Sequence, residues 1–122
     1  MSQSIRFVRR GVRGRVRQNF NFSGIKSSAS VVHITAAEVI PLASPGEVPP
    51  RLKLPGEPDQ NFRYNLGDAN VWVSNISPHL QDHFDGEPAG VEFILNVDFP
   101  SPIDVAITIT VEDNFPVEIQ GL

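Results

Sequence analysis

The sequence predicts an all-β fold: a single-domain antiparallel β-sandwich, immunoglobulin-like or jelly-roll-like, of about six to seven strands with one long Pro-rich loop. Three observations carry that expectation. Apolar residues recur at every second position in several separate stretches, no helical period persists, and eleven prolines and nine glycines punctuate the chain. A chain of 122 residues, 40% of them hydrophobic, is long enough to bury one core without a staple. The expected organisation is a basic N-terminal arm or short strand over residues 1–11, then a sandwich domain over residues 12–122 with a Pro-rich excursion at 41–58.

Residues 12–22 alternate strictly. Val12, Gly14, Val16, Gln18, Phe20 and Phe22 fall on one side, and Arg13, Arg15, Arg17, Asn19 and Asn21 on the other. As a strand, this stretch lines up three arginines about 6.6 to 7 Å apart, near the phosphate repeat of an extended nucleic acid. A solvated, charge-protected edge strand is the simpler reading. Residues 31–42 are rich in valine and isoleucine and read as a further strand, although Ala36, Ala37 and Glu38 weaken it and a short helix there would stop at Pro41. Six prolines with Gly46 and Gly56 make 41–58 an irregular excursion, within which 51–54 alternates like a short edge strand.

The C-terminal half is the most regular. Residues 70–76 around Trp72 read as a strand. Val91, Phe93, Leu95, Val97 and Phe99 form one apolar face, and Ile103, Val105, Ile107, Ile109 and Val111 another. Pro100, Ser101 and Pro102 leave no room for a crossover helix, so the two strands should run antiparallel with their apolar faces together and their acids outward. Two prolines also rule out a regular two-residue hairpin, which lets the chain step between sheets instead. Residues 115–119 read as a last short strand.

Charge is segregated along the chain. Arg6, Arg9, Arg10, Arg13, Arg15, Arg17 and Lys26 all precede the first acid, Glu38, whereas only three cations accompany the fourteen acids that follow. A net charge of −4 therefore conceals a basic N-terminal segment joined to an acidic body, a pattern that speaks to association and partners.

Several function classes are excluded or disfavoured. Without cysteine there is no disulfide, thiolate metal site or cysteine nucleophile. No Gly-x-Ser-x-Gly elbow, phosphate-cradling Gly-rich loop or dinucleotide fingerprint follows a strand, so the chain reads as a non-enzyme needing no cofactor. Arginines rather than an apolar run follow the N-terminus, and no stretch approaches the roughly 18 apolar residues of a membrane span, so the expected location is cytoplasmic. His79, Asp82, His83 and Asp85 are the densest ligand-like cluster, but they match no defined metal motif, and a solvated loop is the simpler reading. Trp72, Tyr64 and Phe62, with polar neighbours, are candidates for a ligand-stacking platform; a buried Trp72 anchoring the sandwich is the simpler alternative.

Three functions are then expected in order. The first is a binding and assembly module that forms a homo-oligomer, the basic N-terminal strand of one copy meeting the acidic body of another. RNA or single-stranded DNA binding through Arg6, Arg9, Arg10, Arg13, Arg15 and Arg17 is the second. The third is carbohydrate or small-ligand binding at Trp72, Tyr64 and the long Pro-rich loop.

Overall fold

The computed structural model describes residues 2–22, 24–25, 30–41, 62–79, 89–113 and 118–121. These form seven strands: β1 (Ser2–Val12), β2 (Gly14–Asn21), β3 (Ser30–Pro41), β4 (Phe62–Tyr64), β5 (Asn70–His79), β6 (Gly90–Asp98) and β7 (Ile103–Asp113). They make two antiparallel sheets, one in the order β1-β7-β3-β4 and the other β2-β6-β5, with no helix among the described residues. The all-β expectation holds.

The apolar faces meet as the alternation requires. Val91, Phe93, Leu95 and Val97 of β6 and Val105, Ile107, Ile109 and Val111 of β7 join Ile25 in one buried cluster, flanked by Phe7, Phe20, Val32, Ile34, Val71 and Val73. Both β6 and β7 have a bonded neighbour on each side, which accounts for their complete burial on the inner face. The intervening residues Glu92, Asp98, Asp104 and Glu112 point outward and keep their carboxylates hydrated.

β6 and β7 are not a hairpin: they lie in different sheets and face each other across the core. The sheet-step reading of Pro100–Pro102 is the one realised, because the prolines remove donors that a hairpin ladder would use. The N-terminal strand makes a matching step. Gly11 and Gly14 have φ of 64° and 78°, a region that side chains with a Cβ avoid, and the chain turns between them from one sheet to the other. Arg13 consequently sits at this corner, outside the row formed by Arg15 and Arg17 on β2. One residue is also bulged out of β1 opposite β7 here, and the Gly11 N–H donates to Asp104 Oδ1 at 2.8 Å.

Residues 36–38 stay in β3, so no helix forms there. Ala37 pairs with Ala106 on the outer face, and these two small residues leave room for long side chains to lie across them. Most of the Pro-rich excursion, including the alternating stretch 51–54, lies outside the described residues. So does most of 115–119; its described part, residues 118 and 119, is not strand.

Sheet pairing resolves the charge segregation within the chain. β1, with Arg6, Arg9 and Arg10, pairs with β7, which carries Asp104 and Glu112; β2, with Arg15 and Arg17, pairs with β6, which carries Glu92 and Asp98. The basic segment thus meets part of the acidic body of its own molecule.

Candidate functional site

One side of the molecule is formed by two edge strands. Among the described residues β1 pairs only with β7 and β2 only with β6, and the two edges run beside each other, joined by stacked Phe7 and Phe20 (ring centroids 6.4 Å apart) and by Arg9 Nε donating to Gln18 Oε1 at 3.0 Å. Eight successive residues, Ser2 to Arg9, keep regular register with β7, so the opposite edge of this stretch offers an uninterrupted row of main-chain donors and acceptors. Between the edges opens a largely apolar cleft of about 170 Å³, lined by Gln3, Ser4, Ile5, Phe20, Phe22, Ile109 and Val111. Ile5, at 41% exposed, sits at its mouth.

Arg6 does not guard that edge. Arg6 Nε donates to Thr108 Oγ1 at 2.7 Å, and its guanidinium lies 5.9 Å from the Tyr64 ring on β4, the far edge of the same sheet. Its reach crosses the outer face over the Ala37–Ala106 pair. Arg9 is drawn to Gln18 and lies 4.9 Å from the Phe7 ring, so it closes the gap between the sheets. Arg17 is paired with Glu92 at 2.6 Å. The six N-terminal arginines therefore do not form one cationic strip: Arg6 crosses the outer face of one sheet, Arg9 bridges the two edges, Arg10 lies in the β1 bulge, Arg13 stands at the corner, and Arg15 and Arg17 face out from the other sheet.

The aromatic candidates are also divided. Phe62 and Tyr64 contact edge-to-face at 5.6 Å on the outer face of the β1-β7-β3-β4 sheet, where Phe62 is buried against Val39 and Ala106. Trp72 lies on the outer face of the other sheet, 48% exposed, while its neighbours Val71 and Val73 turn to the core. A single platform of all three aromatics does not exist, and Trp72 is no core anchor. The alternation of β5 decides this: valines at 71 and 73 claim the inner face and leave 72 outside.

The outer face around Trp72 is ordered. Asn96 on β6 stands in register between Arg15 on β2 and Trp72 on β5. Its Nδ2 donates to Ser74 Oγ at 2.9 Å and lies 3.4 Å from the carbonyls of Trp72 and Ile94. Next to this rung β5 bulges at Asn75, whose φ of 55° is one that asparagine tolerates better than branched residues. At the strand's end His79 Nε2 meets Asn19 Oδ1 at 3.0 Å, and Asn19 Nδ2 donates to Asn21 Oδ1 at 2.8 Å. With Asn19 Oδ1 as acceptor, the His79 Nε2 carries the proton.

His79 is the one member of the His79, Asp82, His83 and Asp85 cluster whose position is described; the other three lie outside the described residues. No group of three metal-ligating side chains occurs among the described residues, and no helix long and apolar enough to cross a membrane occurs among them. Sequence reasoning passed over Asn96 and Asp104, since neither belongs to a motif. Their partners come from strands that only the fold brings alongside.

The chain matches no protein-family model, no curated protein and no solved structure.

Proposed function

We propose that the chain is a non-enzymatic assembly module that pairs with a second copy of itself through the free edge of β1. The observation that carries this reading is the regular edge of Ser2–Arg9, without a bonded strand among the described residues, beside an apolar cleft and with Arg6 turned away from it. Natural edge strands of this length are usually shielded by charge, proline or a covering segment. Here the stretch from Ser2 to Val8 contains no proline, and its one cation is held across the sheet by Thr108 and Tyr64.

A two-fold axis at Ile5 gives the favoured register. It sets Ile5 against its counterpart, Gln3 against Phe7 and Ser4 against Arg6, so no like charges stand directly opposite each other. The four-stranded sheet of each copy would then continue into the other through β1. Because Arg17 is already paired with Glu92 of its own chain and Arg6 and Arg9 are engaged by Thr108 and Gln18, contact by a basic strand on an acidic neighbour is a weaker drive than edge pairing.

Light scattering on a sizing column tests the proposal. The wild-type chain is expected to form a concentration-dependent dimer that survives about 1 M salt, where the Debye length is about 3 Å, and Ile5→Lys is expected to be monomeric while keeping its β-sheet circular dichroism. A wild-type monomer at every concentration would sink the idea. Dissociation of the dimer by salt would replace edge pairing with the charge-driven contact.

A further inference from the structure

We infer that the outer face of the β2-β6-β5 sheet carries a binding site for a carboxylate-bearing sugar, built on the rung Arg15, Asn96 and Trp72. These three residues occupy adjacent positions on three neighbouring strands, by register Arg15 opposite Asn96 and Asn96 opposite Trp72. With strands about 4.8 Å apart, the guanidinium-bearing and indole-bearing positions are separated by roughly 10 Å across the sheet. Each supplies a different part of what an acidic sugar ring needs.

Trp72 supplies the apolar surface. It is half exposed, and its nearest neighbours on the outer face are Asn70 and Ser74 along β5 and Asn96 across on β6, all uncharged hydrogen-bonding residues. An indole is amphipathic, and the C–H face of a pyranose is a fitting partner for it. Asn96 supplies a pre-set acceptor. Its Nδ2 is committed to Ser74 Oγ and the sheet carbonyls, which fixes the amide, and its Oδ1 has no hydrogen-bond partner among the described residues. An amide already locked in place loses little freedom on binding a hydroxyl.

Arg15 supplies the charge selectivity. It forms no hydrogen bond or ion pair among the described residues, in contrast to Arg17, one rung away, whose charge is matched by Glu92. A free guanidinium is a planar fork that holds a carboxylate by two parallel hydrogen bonds. The same features argue against a nucleic-acid strand. That ligand would want successive stacking aromatics and a continuous cationic track, whereas this face has one exposed aromatic and carries Glu92 and Asp98 beside its arginines.

The chain has a single tryptophan, so its fluorescence reports on the site directly. Titration with a short oligogalacturonate is expected to give a saturable change, and a neutral oligosaccharide of the same length should bind at least about tenfold more weakly, the loss of one charge-assisted contact. By calorimetry, Trp72→Ala should lose binding of both sugars, while Arg15→Met should bring the acidic sugar down to the neutral one and leave the neutral one unchanged. Absence of any change with the oligogalacturonate, equal affinity for the two sugars, or wild-type binding of the acidic sugar by Arg15→Met each overturns the inference. A tighter response to oligo(dT) than to either sugar overturns it in favour of single-stranded nucleic acid. Ile5→Lys, which lies on the other sheet, should bind as the wild type does, so failure here is distinct from failure of edge pairing.

Discussion

Asp104 shows how much a single side chain can decide in a sheet corner. Where β1 bulges against β7, the Gly11 N–H has left the ladder, and Asp104 Oδ1 takes it at 2.8 Å. A main-chain donor without a partner is costly once water is kept away, and a hydrogen bond to a charged acceptor contributes about 1.5–3 kcal/mol in partly buried settings. Asp104 is partly exposed, so the lower end applies. Asp104→Ala is expected to destabilise the fold by about 1.5 kcal/mol, and Asp104→Asn, which keeps the acceptor, by clearly less. Chemical denaturation of the two variants distinguishes them, and equal losses would remove the role assigned to the acceptor. Gly90 is constrained in another way. A Cβ there would come within 2.3 Å of the Phe20 carbonyl oxygen, so the position accepts only glycine while β2 and β6 keep their spacing.

At the scale of elements, alternation determines which face each strand buries, but departures from alternation determine what the exposed faces can do. β5 is the clearest case. Up to Ser74 it alternates with β6, and then one additional residue at the Asn75 bulge shifts the register so that Ser77 rather than Ile76 stands opposite Glu92. The left-handed backbone at Asn75 predicts that Asn75→Gly is close to neutral, whereas Asn75→Val lowers stability by about 1–2 kcal/mol. Thermal unfolding checks this pair, and a harmless valine would mean that the bulge is not held in that conformation. β1 illustrates the same point for edges: its sequence reads as a basic strand, yet the fold draws Arg6 across the outer face and Arg9 to Gln18 of β2, and leaves Ile5 at the open side.

At the scale of the whole molecule, the pairing is strongly non-local. Ser2 stands opposite Glu112, and each sheet joins a strand from the N-terminal part of the chain to one from the C-terminal part. Loop closure must precede the contacts that reward it, so refolding is expected in the millisecond to second range typical of all-β domains. Stopped-flow fluorescence of Trp72 measures it, and complete refolding in microseconds would contradict the topology. The same long-range pairing brings basic and acidic halves together inside one chain, with Arg17 and Glu92 at 2.6 Å as the visible contact. An exposed pair of this kind contributes little stability, roughly 0.2–1 kcal/mol. Its larger consequence is that it satisfies one of the arginines which, by sequence alone, seemed available to a partner.

The amino-acid sequence by itself determined the class of fold and the identity of the core. The period-two patterns of 91–99 and 103–111 name eight of the nine residues of the main buried cluster, all but Ile25, because successive side chains on a strand must point to opposite faces. Pro100 and Pro102 likewise excluded a simple hairpin by removing donors. Only the tertiary structure decided which outward-facing residues share a surface. Trp72 and Tyr64 are eight positions apart, yet they lie on different sheets; Arg15, Asn96 and Trp72 are scattered along the chain, yet they form one rung. The physical reason is that strand order and register arise from pairing between distant segments, and local alternation specifies a side chain's face without specifying its neighbours.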